Sequence, residues 1–339
     1  MFALMQSTRA HALHLWSDPP TGLRAVVAIH SEQFGPAFGG CRYLPYADDE
    51  SAISDALHLA RNMSYKAALA GLPLGGGKAV ILRSPHVENR AALFEAFGRF
   101  VDSLQGRLVV AVDSGTSTVD MDCIARTTVH VSSTTASGDP APYAAMGVFA
   151  GLRATAQARL GSSNLEGLRV AVQGLGNVGF ALAEQLHAAG AELLVSDLDP
   201  GRVRLAVERF NAWPVAHDAM LSTPCDIFAP CGVGPVLSAH SVMQLRCAAV
   251  AGAANQQLTG LPVADQLESR GILYAPDTVI NAGGLIYVAL SHRGQAPGAV
   301  TEHLARIPLR LTEVFAHAQA ENRSPARVAQ MLAERLLYG

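Results

Sequence analysis

One stretch of the sequence constrains the fold more than any other, because it combines a strand, a glycine motif and a helix in a fixed order. Residues 168–179 read Leu-Arg-Val-Ala-Val-Gln-Gly-Leu-Gly-Asn-Val-Gly, an apolar strand that runs directly into G-x-G-x-x-G. A helical apolar pattern follows, and residues 191–197 form a second strand that ends in Asp197. This acid lies 23 residues after the first glycine, close to the roughly 20 expected for the arrangement. The order predicts a βαβ unit that opens a doubly wound parallel sheet.

The glycines and the acid of this unit are the predicted contacts with a dinucleotide. The first glycine permits a tight turn, the second admits a pyrophosphate, and the third lets the helix pack on the strand, with the helix N-terminus facing the phosphates. The predicted binding residues are Gly174, Gly176, Asn177, Val178, Gly179 and Asp197. A carboxylate at Asp197 would accept hydrogen bonds from the ribose hydroxyls and repel a 2′-phosphate, which favours NAD. Two alternatives stay open: Asp197 as a turn residue before Pro200-Gly201, and NADP bound with the help of Arg202.

The rest of the chain extends this unit into a larger α/β protein. Three more short apolar strands, each broken by Gly, Pro or Asn, cover residues 225–231, 248–255 and 272–277. Strands of this kind are typical of a parallel sheet buried on both faces. A polar, proline-containing stretch predicts a domain boundary at 132–142. We therefore expect an N-terminal α/β substrate-binding and catalytic domain (1–135, with a C-terminal helix at about 320–339), a Rossmann domain (140–319), and a deep cleft between them.

Composition and charge argue against several classes of function. Half of the 339 residues are hydrophobic and 16% are charged, which favours large buried areas, including subunit contacts. The net charge of −3 gives no electrostatic reason to expect nucleic acid or an anionic membrane as a partner. Five cysteines without a C-x-x-C pair favour a reducing cytoplasm over a disulfide framework or a zinc site, and we expect no metal. We also expect no signal peptide and no transmembrane helix, since no apolar run approaches roughly 18 residues.

Two lysines lie twelve residues apart in a largely apolar stretch of the N-terminal half. Lys66 and Lys78 are separated by an alanine-rich run and by a predicted turn at Gly75-Gly76-Gly77. Because lysine is normally a solvated surface residue, this pattern predicts cations delivered into a pocket. A predicted strand at 107–112 ends in Asp113 beside a glycine, where α/β enzymes place catalytic groups. An Asx-turn or a helix N-cap explains the aspartate equally well.

Other apolar patterns of this half predict its framework. Strands are expected at 23–30 and 79–82, and helices at 49–64 and 88–104. The pair Gly39-Gly40 indicates either a close backbone approach, to another strand or to a ligand, or a turn that connects strands. The chain is predicted to be helical from residue 300 onward, and its last helix is expected to pack on the first domain or against another subunit.

Longer motifs along nearly the whole chain resemble those of one enzyme family. They are Gly35-Pro-Ala-Phe-Gly-Gly, Met63-Ser-Tyr-Lys, Leu74-Gly-Gly-Gly-Lys-Ala-Val-Ile, Val119-Asp-Met-Asp, Ala171-Val-Gln-Gly-Leu-Gly-Asn-Val-Gly, Asp226-Ile-Phe-Ala-Pro-Cys, Gly252-Ala-Ala-Asn and Tyr274-Ala-Pro-Asp-Thr-Val-Ile-Asn-Ala-Gly-Gly. The chain resembles the amino-acid dehydrogenases of the glutamate, leucine, phenylalanine and valine type, especially the short bacterial leucine/phenylalanine/valine branch.

The resemblance implies NAD-dependent oxidative deamination of an apolar or aromatic L-amino acid to its 2-oxo acid and ammonia, reversible as reductive amination, in a homo-oligomer of two or more subunits. It implies that Lys66 binds the substrate carboxylate, that Lys78 polarises the reacting oxygen and helps to activate water, and that Asp113 moves protons to and from the amino nitrogen. A lysine among apolar groups has a lowered pKa, which suits this chemistry. The other residues implied at the substrate are Gly39, Gly40, Met63, Phe38, Ala111, Asn255, Leu285 and Val288. Further cofactor contacts are implied at Cys231, Ala253, Asn255 and Asn281.

The sequence departs from the family pattern at several places implied to lie near the nicotinamide and the substrate. Ala144 stands where the family usually has a threonine, and residues 231–235, 287–292 and 113–115 differ as well. These changes motivate two alternatives: a relative that acts on an unusual 2-oxo acid or imine and couples substrates, and an NAD-binding sensor that has lost turnover. The retained lysines and aspartate favour the enzyme.

Overall fold

The computed structural model describes residues 1–84 and 89–339, and its backbone contacts divide the chain into two compact units. The first unit comprises Met1–Pro140 and Tyr287–Ala296, and the second comprises Ala141–Ile286 and Pro297–Gly339. In the described residues no helix is both long and apolar enough to cross a membrane.

The first unit is built on a mixed sheet of five strands. Its described elements are α1 (Phe2–Thr8), β1 (Ala12–Asp18), β2 (Leu23–Ser31), β3 (Ala37–Leu44), α2 (Asp49–Leu69), β4 (Gly75–Leu82), α3 (Arg90–Ser103), β5 (Leu108–Val112) and α4 (Thr118–Ala125). The strand order is β1-β2-β4-β3-β5, with β1 and β4 antiparallel to β2, and with β4 and β5 parallel to β3. Strand β3 therefore lies between β4, which carries Lys78, and β5, which precedes Asp113.

Helix α2 covers one face of this sheet. Its N-cap is Asp48, whose carboxylate accepts a hydrogen bond from Ser51 N (2.7 Å). The carboxylates of Asp49 and Glu50 in the first turn interact favourably with the positive end of the helix dipole. Its buried side, which includes Ala56 and Leu57, packs on β2 and β4 and forms an apolar cluster with them. The opposite face of the sheet packs on the phenylalanine-rich α3.

The glycine run before Lys78 is not the predicted turn; it is the first part of β4. A Cβ on Gly75 would lie 2.0 Å from Ser31 O, one on Gly76 would lie 2.1 Å from Ser64 N, and one on Gly77 would lie 2.6 Å from Leu108 Cδ1. None of the three residues has a positive φ. The glycines are therefore explained by close packing of β4 against its neighbours, and the strand begins earlier than the predicted 79–82.

The remaining predictions for this unit differ from the structure mainly at element ends. Helix α2 continues five residues past the predicted end at 64 and includes Lys66 in its last turn. Strand β1, which pairs with β2 along seven residues, was not predicted, because its residues include no clear β-branched run. Helix α3 begins at Arg90 after an Asn89 cap. The predicted start at 88 lies outside the described residues.

The second unit contains a six-stranded sheet in which all paired strands are parallel. Its strands are β6 (Arg169–Gln173), β7 (Glu192–Ser196), β8 (Trp213–Pro214), β9 (Ile227–Pro230), β10 (Ala249–Val250) and β11 (Leu273–Tyr274). Its helices are α5 (Ala141–Leu160), α6 (Asn177–Ala188), α7 (Pro200–Phe210), α8 (Ala239–Val242), α9 (Leu261–Ser269), α10 (Asp277–Ile280), α11 (Gly283–His292, shared with the first unit), α12 (Pro297–Leu304), α13 (Arg306–Glu321) and α14 (Pro325–Tyr338). The strand order β11-β10-β9-β6-β7-β8 has β6 at the centre, where the order reverses. The predicted α/β class, with an N-terminal mixed-sheet domain and a Rossmann-like domain, is confirmed.

The C-terminal helix α14 packs within the second unit. It contacts α9 and α13, and Arg327 on α14 forms an ion pair with Asp265 on α9 (2.6 Å). Ser324, immediately before α14, also donates to Asp265 (2.8 Å). A role for α14 in contacts with another subunit stays a prediction.

Candidate active site

Lys78 and Asp113 meet on the face of the first sheet that α2 covers. Lys78 lies on β4, and Asp113 directly follows β5. Lys78 Nζ contacts Asp113 Oδ2, and the side chains are 3% and 9% exposed. The aspartate that follows the predicted strand and the lysine of the apolar stretch are therefore in direct contact, and both side chains are almost fully buried.

Asp113 is fixed by the turn that follows it. Its Oδ1 accepts from Ser114 N (2.6 Å), and its backbone N–H donates to Thr116 Oγ1 (2.9 Å). The Thr116 hydroxyl also contacts Cys41 O on β3 (3.0 Å). The N-cap of α4 is Ser117, which forms a capping box with Asp120. The alternative that Asp113 caps this helix is wrong, and its Oδ2 is left to face Lys78.

The environment of Lys78 disfavours the charged form of its amine. Burial lowers the pKa of Lys78 well below 10.5, and the positive charges of Arg42 and Lys66 lower the pKa further. The Asp55 carboxylate opposes this effect. A neutral amine beside a carboxylate can take and return a proton, which a normal surface lysine cannot do efficiently near neutral pH.

Lys66 reaches the same region from α2. It lies in the last turn of that helix and is 6% exposed. Its charge acts on Lys78, so the two lysines predicted to serve one site do lie near each other.

The glycines of β3 have a packing role that the sequence left open. A Cβ on Gly39 would lie 1.8 Å from Gly77 O, and one on Gly40 would lie 2.6 Å from Asp113 Cβ. Both residues lie inside a strand, so the turn alternative is wrong: Gly39 closely approaches the backbone of β4, and Gly40 closely approaches the Asp113 side chain. Their contact with substrate stays a prediction.

The uncharged residues predicted at the substrate are distributed over both units. Phe38, Ala111 and Val288 of the first unit are buried, and Met63 is half-buried. The Phe38 ring packs edge-on against His292, with centroids 5.4 Å apart. Leu285 belongs to the second unit and is also buried.

The glycine motif of the second unit has the backbone geometry that each of its positions requires. Gly174 has φ +97°, and a Cβ there would lie 2.6 Å from Gly232 N. A Cβ on Gly179 would lie 2.0 Å from Gly174 O, which explains the close packing of α6 on β6. At Gly176 the nearest atom to an added Cβ is Arg202 Nη1 at 3.9 Å, and no side chain caps α6. The second glycine therefore leaves open space at an uncapped helix N-terminus, as a pyrophosphate needs, beside Asn177 and Val178.

Asp197 closes the same loop. Its Oδ2 accepts from Leu175 N (2.5 Å), its Oδ1 accepts from Asp199 N (2.8 Å), and Arg202 Nη1 lies 3.9 Å from Oδ2. The carboxylate thus joins the ends of β6 and β7. Its function as a turn residue and its position beside the glycine motif are both features of the structure.

The remaining predicted cofactor residues follow other strands of this sheet at the same edge. Cys231 follows β9, and burial raises the pKa of its thiol to about 12, so it remains protonated near neutral pH. Ala253 and Asn255 follow β10, and Asn281 follows α10. Asn281 Nδ2 donates to Ala253 O (2.6 Å) and to Asn255 Oδ1 (3.0 Å). The structure thus brings together the carboxyl-edge residues of the second unit.

The altered position Ala144 lies on α5 against the start of α11. A Cβ on Gly283 would lie 2.2 Å from Tyr143 O and 3.1 Å from Ala144 Cα. In the other altered segment, Tyr287 donates a hydrogen bond from its hydroxyl to Ser137 O.

Two features of the site escaped the sequence analysis. The first is Arg42, which is buried on β3 and was not among the predicted site residues. The second feature is the rarity of lysine: Lys66 and Lys78 are the only lysines among the 25 lysine and arginine residues. A chain that uses arginine everywhere else and lysine at two positions in one apolar stretch carries a compositional signal that points to both.

A Rossmann-like domain with an open glycine motif, combined with a separate domain that buries a lysine–aspartate pair, defines the class of dinucleotide-dependent dehydrogenases. Comparison with known proteins gives the family. Residues 13–130 match the Glu/Leu/Phe/Val dehydrogenase, dimerisation domain, and residues 195–334 match the Glutamate/Leucine/Phenylalanine/Valine dehydrogenase family. The chain belongs to this family and is an L-amino-acid dehydrogenase, and the family uses a nicotinamide cofactor.

Individual relatives match over most of their length. The chain is 45% identical to the leucine dehydrogenase of Bacillus subtilis over 293 residues, covering 85% of this chain and 80% of that protein. It is 42% identical to the valine dehydrogenase of Streptomyces virginiae over 328 residues, covering 95% and 92%. The crystal structure of L-tryptophan dehydrogenase from Nostoc punctiforme is similar with a TM-score of 0.80 at 38% identity, covering 99% of this chain and 98% of that one.

Proposed function

We propose that this dehydrogenase catalyses the NAD-dependent oxidative deamination of an apolar or aromatic L-amino acid, and its reversal. The amino acid, NAD⁺ and water give the 2-oxo acid, ammonium, NADH and a proton. The observation that carries the proposal is the buried contact between Lys78 and Asp113, in which the lysine pKa is well below its usual range. The relatives' names add leucine, valine and tryptophan as substrates of those proteins.

Each charged residue has one proposed role. Lys66, a buried cation, pairs with the substrate carboxylate. Asp113 takes a proton from the substrate ammonium and later returns one to the departing ammonia. Lys78, as a neutral amine, takes a proton from the water that attacks the imine carbon, and it then stabilises the developing oxygen charge. NAD, when bound, supplies the hydride acceptor, and the residues that would hold it are those of the glycine motif, Asp197 and Asn281.

The side-chain preference follows from the uncharged contacts. Phe38, Met63, Ala111, Leu285 and Val288 carry neither a carboxylate nor a cation that would pair with a charged substrate tail. Transfer of an apolar side chain from water to such contacts is favourable, whereas a charged one would lose its hydration without compensation.

The test is a panel of L-amino acids with NAD and NADP, followed by NADH or NADPH absorbance, and of 2-oxo acids with ammonia in the reverse direction. We expect turnover with apolar or aromatic amino acids and a loss of about 10²–10⁴-fold in Lys78→Met. Arg107→Met is the matched control, because Arg107 pairs with Glu32 (2.7 Å) in the same unit, away from Asp113. Wild-type-like turnover in Lys78→Met would overturn the proposed role.

The role of Lys66 is tested by a substrate pair. Lys66→Met should raise the KM of the amino acid strongly and reduce the preference for it over the corresponding amine, which lacks the carboxylate. An unchanged preference would contradict the assignment.

The altered segments favour one second candidate. The Tyr287 hydroxyl donates a hydrogen bond to Ser137 O, and His292 packs on Phe38. The altered segment after Asn281 therefore makes specific contacts with other parts of the first unit. The second candidate function is that the enzyme acts on an unusual 2-oxo acid or imine and couples substrates. Mass analysis of products formed from 2-oxo acids, amines and NADH distinguishes it, since simple amino acids alone would argue against it. Cofactor binding without turnover on any panel would instead favour a sensor.

We further propose a cytoplasmic homo-oligomer. The support is the match of residues 13–130 to a dimerisation domain, together with exposed Leu15 and Trp16 on the edge strand β1. Light scattering on the purified chain tests the assembly, and a monomer at micromolar concentration would contradict it.

A further inference from the structure

Arg42 lies beside the Lys78–Asp113 pair and has one donor that is not satisfied. Its side chain is 8% exposed, and its Nη1 donates to Asp55 Oδ2 (2.8 Å). Its Nε–H is buried and has no hydrogen-bond partner among residues 1–84 and 89–339. This nitrogen lies 3.9 Å from Asp113 Oδ2, the same oxygen that Lys78 contacts. A buried donor so close to a carboxylate, and not yet bonded to it, calls for an explanation.

The sheet explains why these three groups converge. Strand β3, which carries Arg42, lies between β4 and β5. Arg42 pairs in register with Val80, two residues after Lys78, and Gly40 pairs with Ala111, two residues before Asp113. Because side chains two residues apart on a strand point to the same face, all three point toward α2.

We propose that Arg42 is a positioning residue for the reaction: its Nε–H receives the Asp113 oxygen whenever Lys78 leaves that oxygen to act on substrate. The inference rests on the proposed roles of Lys78 and Asp113. With Arg42 in place, Asp113 stays oriented through the cycle while Lys78 alternates between the aspartate and the reacting oxygen. A small movement of the carboxylate brings the distance of 3.9 Å into hydrogen-bond range.

The guanidinium is itself held from the opposite side. Asp55 on α2 accepts both from Arg42 and from the Tyr46 hydroxyl (2.5 Å), on the same oxygen. Burial and the neighbouring carboxylate raise the pKa of Tyr46, so this hydroxyl remains a donor. Arg42 therefore cannot follow Asp113; the carboxylate must come to it.

Charges from three elements face Lys78. Arg42 lies on β3, Asp113 follows β5, and Asp55 and Lys66 lie on α2. Arg42 and Lys66 disfavour a charged lysine, whereas Asp55 favours it. Removal of Arg42 and removal of the Asp55 charge should therefore move the protonation of Lys78 in opposite directions, which a merely structural role of either residue would not do.

The experiment measures that protonation directly. Because Lys66 and Lys78 are the only lysines, the chain labelled with ¹³Cε-lysine gives two lysine signals, which Lys78→Met assigns. We expect Arg42→Met to raise the titration midpoint of Lys78 by about one pH unit and Asp55→Asn to lower it. Arg107→Met and Glu32→Gln, which alter a separate ion pair of the same unit, should leave it unchanged.

Kinetic measurements distinguish the effect of the Arg42 Nε–H donor from that of the Arg42 charge. In Arg42→Met the rise of kcat/KM with pH should move to higher pH and kcat should fall at least tenfold. Arg42→Lys retains the charge and loses the Nε donor, so it should restore the pH profile but not kcat. A melting curve identifies any variant that fails to fold, in which case Asp55→Asn still tests the direction.

The outcomes are distinct. An unshifted Lys78 signal in both Arg42→Met and Asp55→Asn, or shifts in the same direction, overturns the inference. An Arg42→Lys enzyme with wild-type kcat overturns the donor role. The titration of Lys78 does not require turnover. Activity in Lys78→Met would contradict the proposed catalytic role of Lys78, and it is a separate measurement from the titration that tests Arg42.

Discussion

The side-chain amide of Asn281 donates to Asn255 Oδ1 at 3.0 Å and to Ala253 O at 2.6 Å, so one buried amide joins two segments that follow neighbouring elements of the parallel sheet. The second acceptor is a backbone carbonyl after β10, and Asn281 itself ends α10. The bond fixes the carboxyl edge of the sheet at the residues proposed to contact the cofactor.

Replacement of Asn281 should therefore affect cofactor binding. In Asn281→Ala, Ala253 O and Asn255 lose a buried donor, and we expect about 1–3 kcal/mol of lost interaction, expressed as a rise in the Kd of NADH measured by fluorescence. Asn164→Ala, an exposed asparagine of the same unit, is the control. If Kd is unchanged and only the melting temperature falls, the bond is purely structural.

Two glycines should respond differently to the same substitution. Gly39→Ala places a Cβ 1.8 Å from Gly77 O, which only a backbone shift relieves, so we expect a loss of several kcal/mol or no folded first unit. Gly176→Ala meets no atom nearer than 3.9 Å and should fold normally, while the added methyl takes space proposed for the pyrophosphate. Melting curves and NADH titrations on both variants check this. A stable Gly39→Ala enzyme would contradict the packing argument.

Asp197 has a charge and an acceptor that can be separated. Asp197→Asn keeps an oxygen for Leu175 N but removes the charge that would repel a 2′-phosphate. We expect the ratio of kcat/KM for NAD to that for NADP to fall at least tenfold with little change in stability. Asp197→Ala, which also loses the 2.5 Å bond from Leu175 N, should be less stable by about 1–3 kcal/mol. An unaltered cofactor ratio in both variants would show that Asp197 serves the turn alone.

Burial of Lys78 should also make stability depend on pH. Its folded-state pKa lies below 10.5, so between the two values the unfolded chain binds more protons and the free energy of unfolding rises with pH. Below the folded-state pKa both states are protonated and the full cost of the buried charge remains. The free energy of unfolding of the wild type minus that of Lys78→Met should therefore rise as the pH increases toward 10.5 and then level off. Urea titrations at several pH values measure it, and a constant difference would contradict the lowered pKa.

The βαβ unit of the second sheet was predictable because its sequence signals are local. Gly174, Gly176 and Gly179 each match a distinct backbone need, and a strand precedes them while a helix follows. The first unit was harder to predict, because its glycines pack against residues that are distant in the sequence. A side chain at Gly77 would clash with Leu108, and one at Gly39 would clash with Gly77. The neighbouring residues in the sequence do not show whether such a glycine is needed for packing or for a turn.

The candidate site shows the same division. Lys78 and Asp113 were identifiable as unusual residues at the ends of apolar runs, and the structure puts them in contact. Arg42 was not identifiable from the sequence, because its proximity to Lys78 and Asp113 depends on β3 lying between β4 and β5. Local sequence patterns do not predict the order of strands in a sheet. The direction in which Asp55 acts on Lys78 likewise required the position of α2 on the sheet.

The concentration of both lysines inside the first unit has a practical consequence for handling the protein. Lys66 is 6% exposed and Lys78 is 3% exposed, so the folded surface offers arginines but hardly any ε-amine. Amine-reactive dyes, aldehyde cross-linkers and activated resins would then find mainly the α-amino group. Conjugates of the native enzyme should carry one label at a defined end, and a second label would report that the chain has opened.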